Sequence, residues 1–359
     1  MSVQFVKFKP DNFTAHVRTP WAGSRIVKTI KSGLGLNLPP YIGESWEFST
    51  SSELPSRCDG VFDGTFSEFL SVGHNAELWL SDAHRKLWKT SSPLLIKYLD
   101  AADDLSVQLH PPIHAPELPS DESGKWESWL ILGRKRGAGI YLGLEKGVTR
   151  EMFANAVKSG QNLRPYLHFV PVRVGETYAI PPGTIHALGA GVCALEPQVL
   201  QPGKRALSLR LYDWNRCYDI HGNLSSSGTP RQLHVDEALK YMDMHCPSGK
   251  QLENQCRIKP EIITETSSFR IVNFNASPFL SSRVISGTGE YLEILPHELV
   301  CILLMQGQIS LTIAGQTYYL RAGEAGVISA SAHDVLLRCQ NARIYMAHAL
   351  PTAFSQLKS

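Results

Sequence analysis

The sequence predicts a mainly β protein: two jelly-roll barrels, with a few helices inserted in or flanking the first. Three observations carry this. Short apolar runs recur along the chain, separated by Gly, Pro and Asp clusters, as in barrels and sandwiches. The stretch 247–260 turns polar, with Ser, Gly, Gln and Asn. Strands then resume, with glycines in a regular rhythm at Gly307, Gly315 and Gly323.

In the first part, strand-like runs fall at 46–48, 94–99, 106–110, 129–132, 139–142, 177–180, 192–197 and 207–212. Thr65 is placed to N-cap a helix over 66–72. Thr149 can cap another running to about Lys158, with Glu151 in its first turn. Residues 235–242 carry apolar side chains at helical spacing. In the second part, strands are expected at 270–274, 290–294, 299–304, 309–313, 316–320, 326–328 and 344–347, with Ala314-Gly315 as a hairpin turn.

At 359 residues the chain is long enough for about two domains. We expect a metal-binding catalytic domain over 1–250, with helical segments, and a smaller metal-free one over 261–359. Charge is nearly balanced, 35 basic residues against 33 acidic, which argues against nucleic acid or a membrane surface as partner. Seven scattered cysteines, odd in number and without a C-x2-C pair, read as reduced thiols and imply a cytoplasmic protein. The first ten residues lack an apolar signal core, and no apolar run approaches a membrane span. A small-molecule ligand and a monomer or weak homodimer are the expectations.

Four residues suggest a metal cage: Gln108, His110, Glu127 and His186. Gln108 and His110 are two apart in an extended segment and so share a strand face. Glu127 lies in the next apolar run. His186 closes a Gly-x5-Pro-x-Gly-x2-His stretch beginning at Gly175, the second half of the cupin barrel signature. Taken singly, each has an ordinary alternative: a barrel-edge histidine, a carboxylate paired with Lys125, an amide bonded within the sheet. Together they suit Zn²⁺ or another divalent first-row ion. In the second barrel His333 stands alone and reads as structural.

Six stretches resemble the type I mannose-6-phosphate isomerases in their short bacterial form: Gly43-Glu44-Ser45-Trp46-Glu47, Pro93-Leu94-Leu95-Ile96-Lys97, Leu105 to Pro111, Lys125-Trp126-Glu127, Gly183-Thr184-Ile185-His186-Ala187 and Arg210 to Arg216. They occur in family order over about residues 15–240. The resemblance implies one Zn²⁺ held by Gln108, His110, Glu127 and His186. It also implies a phosphorylated hexose as substrate, exchanged between mannose 6-phosphate and fructose 6-phosphate. Aldose–ketose isomerisation needs a polarised carbonyl, a proton shuttle and charge that stabilises an enediolate. Lys125 and Arg210 are the residues expected to act. A lysine near a dication has its charged form disfavoured, which suits Lys125 as a base. Ser106, Lys97 and Arg216 are expected to bind substrate. Ser106 resembles the family's substrate-contacting serine.

One departure stands out. The family's acidic position, four before Arg210, is Ala206 here. Either another carboxylate serves, Glu196 or Asp213, or the chain acts on another sugar or is a catalytically weak, metal-containing sugar-binding or regulatory protein. An oxygen-using cupin fits the donor set less well.

Overall fold

The structure, a computed structural model, describes residues 3–243 and 246–356. Residues 1–2, 244–245 and 357–359, which fall within the two expected domain spans, lie outside the described residues.

The fold is mainly β, with most strands in three antiparallel sheets. A six-stranded sheet runs in the order Arg257–Ile258, Thr177–Ile180, Lys125–Arg134, Val192–Leu200, Leu94–Asp100, Glu44–Phe48. A five-stranded sheet runs Leu209–Tyr212, Val107–Leu109, His186–Leu188, Gly139–Leu144, Leu167–Pro171. The third sheet has eight strands and holds the C-terminal part, including Leu280–Ile294, Val300–Ile313 and Asp334–Ala349. The chain's first strand, Phe5–Lys7, joins that C-terminal sheet by pairing with Ala325–Ile328.

The six-stranded sheet is the middle layer. Alternation along its strands sends side chains to two different cores. Ile96, Tyr98, Leu130, Leu195 and Val199 face the eight-stranded sheet, where they meet Val284, Leu303, Val327 and Tyr345. Leu99, Trp129, Ile131 and Ala194 face the other way and pack with Ile140, Leu142 and Leu188 of the five-stranded sheet. Each fully buried large apolar side chain in these layers contributes about 1.5–3 kcal/mol. On the five-stranded sheet, Val107, Leu109, Leu209 and Leu211 pack outward under the helices Arg150–Lys158 and Val235–Tyr241. Gln108 and Arg210, one residue out of step, therefore face the middle layer.

The caps expected from sequence are present. Thr65 accepts from the Glu68 backbone N–H while the Glu68 side chain accepts from Thr65, a complete capping box. Thr149 caps Arg150–Lys158 through Met152. Ala314 and Gly315, both at positive φ, turn Val300–Ile313 into Gln316–Arg321.

Two features, among others, differ from the sequence expectation. Residues 299–304 and 309–313 form one strand rather than two. Gly307, at φ +80°, sits in a register shift with its α-carbon against the Gln340 and Asn341 carbonyls. It makes a bulge, not a break. Within the polar stretch 247–260 lies a helix, Gly249–Cys256, followed by Arg257–Ile258, which pairs with Thr177 and Tyr178. Among the described residues no helix is long and apolar enough to cross a membrane.

Candidate metal centre and cleft

Three strands from two facing sheets converge on one point. His186 pairs in register with Gln108, and His110 follows one residue after the strand Val107–Leu109. Glu127 comes from the opposite sheet, between Ile180 and Gln198. The donor atoms of His110, Glu127 and His186 all lie within 4.8 Å of one another, and all three residues are buried. Among the described residues this is the one such group of three His, Cys, Asp or Glu side chains.

The outer nitrogens fix the tautomers. His110 Nδ1 lies 3.1 Å from the Leu207 carbonyl, and His186 Nδ1 lies 2.9 Å from the Thr184 carbonyl. A carbonyl only accepts, so each Nδ1 carries the proton and each Nε2 keeps its lone pair. Those Nε2 atoms stand 3.2 and 3.1 Å from the Glu127 carboxylate. His110 Nε2, His186 Nε2 and Glu127 Oε1 are buried with no hydrogen bond. Three lone-pair donors facing each other without a proton between them are costly in the protein alone and fit a cation. The electrostatics agree. Burial by itself would raise the Glu127 carboxyl, yet the Lys125 charge beside it holds it well below the usual range. Burial, then the Lys125 charge, pushes His110 down to about 3, so its ring stays unprotonated.

Beside this centre opens a cleft of about 420 Å³. Ser106, Gln108, Lys97, Lys125 and Arg210, expected from the sequence, all line it. Lys125 Nζ lies 2.9 Å from Glu127, joining the cleft to the centre. Lys97 has two carboxylate partners. It pairs with Glu196 at 2.9 Å and Glu44 at 3.5 Å, while Glu47 pairs with Lys31. Arg216 is not among the lining residues. Its guanidinium is held by Asp103 at 2.9 Å and Asp213 at 2.8 Å.

The sequence did not single out two further residues here. Gln198, opposite Glu127, donates to Glu127 at 3.1 Å and to Glu196 at 2.6 Å. Arg231 lines the cleft and forms a two-bond fork with Asp213, 2.7 Å each. Glu196, weighed as a replacement acid, also lines the cleft and accepts from the Trp129 indole at 2.8 Å. Burial and the nearby Glu127 charge raise its carboxyl above the usual range. In the eight-stranded sheet, His333 is exposed, its ring 5.3 Å from that of His297.

No family profile matches the chain. Two curated relatives match over most of its length. Mannose-6-phosphate isomerase ManA of Bacillus subtilis (strain 168) is 29% identical over 287 residues, 76% of this chain and 84% of the relative. Mannose-6-phosphate isomerase of Streptococcus mutans serotype c is 28% identical over 313 residues, 85% and 87%. Among solved structures, the mannose 6-phosphate isomerase from Bacillus subtilis superposes with a TM-score of 0.76 at 23% identity, covering 96% of this chain and all of that one. A mannose 6-phosphate isomerase bound with zinc and yttrium superposes at 0.68 and 15% identity, covering 97% of this chain and all of that one. The fold of this chain is that of these cupin proteins.

Proposed function

We propose that this chain, a homologue of the mannose-6-phosphate isomerases over most of its length, interconverts mannose 6-phosphate and fructose 6-phosphate with one Zn²⁺ per chain. One observation carries the reading: a single cleft beside three buried lone-pair donors presents Lys97, Lys125, Arg210 and the Glu196 carboxyl. Two imidazoles and a carboxylate suit zinc, with Gln108 as the fourth ligand. When bound, the ion supplies Lewis acidity toward the sugar's carbonyl oxygen.

The protein's own groups divide the remaining work. Lys125, on the cleft wall two residues before Glu127, is placed to move the proton between C1 and C2. Glu196, with its raised carboxyl, is suited to hold and return a proton at the sugar oxygens. It takes the part left open by Ala206, which lies on a short strand pairing with Glu122–Ser123. Arg210 offers fixed positive charge to the developing enediolate. Ser106 and Lys97 are placed to hold hydroxyls.

The test is a coupled assay with mannose 6-phosphate before and after chelation, then after zinc repletion. Activity lost on chelation and restored by zinc is the expected result. Ala206 favours one alternative, a metal-containing sugar-binding protein. Tight binding of mannose 6-phosphate by the zinc-loaded protein without turnover would select it.

A further inference from the structure

We infer that Arg231, on the cleft wall beside Arg210, is a guanidinium of the subsite that receives the ligand's phosphate. Naming the ligand a sugar phosphate rests on the isomerase reading. The anion site itself rests on the charges.

The chain returns to Arg210 through three hydrogen bonds. The His234 N–H donates to the Arg210 carbonyl at 2.7 Å, and the Arg210 N–H donates to His234 Nδ1 at 3.2 Å. Arg210 Nη1 donates to the Gln232 carbonyl at 2.8 Å. This sets Arg231 next to Arg210. Asp213 grips Arg231 through Nε and Nη2, leaving the Nη1 edge for a ligand, and Tyr218 lies 5.4 Å below the guanidinium. The fork is thus oriented before anything binds, as planar recognition of phosphate requires.

The local charges are out of balance. The cleft is lined by five cationic side chains, Arg18, Lys97, Lys125, Arg210 and Arg231, against two carboxylates, Glu44 and Glu196. Arg18 is answered by Glu53, Lys97 by Glu196 and Glu44, and Lys125 by Glu127. Arg231 shares its one carboxylate with Arg216. Arg210 has a buried Nε with no hydrogen bond, and burial together with the Arg231 charge pushes it down to about 10. Arg231, held in place on a carboxylate it shares with Arg216 and standing in this positive cleft, is a site for a dianion.

The experiment uses the zinc-loaded protein with inorganic phosphate as probe, by calorimetry and as an inhibitor against mannose 6-phosphate. Arg231→Gln is expected to weaken phosphate and raise KM for mannose 6-phosphate by about 10- to 100-fold, with kcat changed by less than about threefold. Arg216→Gln shares the Asp213 partner but lies outside the cleft lining. It is expected to lower the melting temperature and leave phosphate affinity in place. Wild-type phosphate affinity in a folded Arg231→Gln protein overturns the assignment, as does an equal loss in Arg216→Gln. Should the Gln variant not fold, Arg231→Lys carries the same test: a several-fold rise in KM is expected, and an unchanged KM overturns it. Arg231-dependent phosphate binding by a wild type that turns over no mannose 6-phosphate would sink the isomerase reading and leave this subsite standing. Turnover unaltered by Arg231→Gln would do the reverse.

Discussion

His186 Nδ1 lies 2.9 Å from the carbonyl of Thr184, two residues earlier on the same turn. That contact commits the ring proton to the backbone and aims the Nε2 lone pair at Glu127, 3.1 Å away. The Gly-Pro-Gly turn leading to His186 therefore sets a tautomer as well as a position.

Metal content should follow these lone pairs. Elemental analysis of the purified protein is expected to give about one divalent ion per chain. His186→Ala should remove most of it, and Gln108→Ala less, because an amide ligand carries no charge. Full occupancy in a His110→Ala/His186→Ala double variant would sink the assignment.

Much of this centre was legible in the sequence because its rules are local. A two-residue spacing on a strand puts Gln108 and His110 on one face, and a glycine–proline turn marks His186. Gln198 and Arg231 obey no such rule. Gln198 reaches Glu127 only because Val192–Leu200 pairs with Lys125–Arg134 in one register, a non-local fact. Arg231 reaches the cleft by a loop return that Asp213 catches. The helix Gly249–Cys256 was missed for another reason. Its buried face includes Glu253, neutralised by Lys250, Arg257 and His168, so the apolar period is broken by a satisfied charge.

Catalysis should depend on the cleft's charges more than on its packing. Lys125→Met, Arg210→Met and Glu196→Gln are each expected to lower kcat for mannose 6-phosphate by about 10²-fold or more. Metal content should remain near wild type, because none of the three is a ligand. Wild-type rates in the Lys125 and Arg210 variants would remove the proposed mechanism. A wild-type rate in Glu196→Gln would return the question of the missing acid at Ala206 to Asp213.

Stability should fall on mild acidification through histidines buried neutral. Burial pushes His84 down to about 4, although its Nε2 lies 2.8 Å from the Ser91 carbonyl. His348, half-buried, is likewise pushed to about 4. Below the ordinary imidazole value of about 6.5, the unfolded chain takes up protons that the folded one refuses. The contribution is thus present above about pH 6.5 and lost progressively toward pH 4. For His84 the slope is at most about 1.4 kcal/mol per pH unit. Urea unfolding of chelated wild type and His84→Gln at pH 7 and pH 5 measures it. The variant should lose less stability between the two, and identical losses would refute the idea.

The N-terminal part is tied to the C-terminal sheet by a buried charge. Lys31, 1% exposed, sits 2.9 Å from Glu47 and donates to the Pro10 and Gly323 carbonyls at 2.8 and 3.1 Å. Gly323 belongs to the loop of the eight-stranded sheet, Glu47 to the edge strand of the middle one. Lys31→Met strands the Glu47 carboxylate in a dry site with the Ser45 hydroxyl as its remaining partner. Removing one member of such a pair costs about 3–5 kcal/mol. Burial already raises the Glu47 carboxyl with Lys31 in place, and without it the folded state binds that proton more tightly than the unfolded chain does. The folded variant therefore gains relative stability as pH falls, and its deficit against wild type should be smaller at pH 5 than at pH 8. Adding Glu47→Gln should recover part of the loss at pH 8. A deficit independent of pH, with no recovery in the double variant, would show that Lys31 acts through its methylene packing and not through its charge.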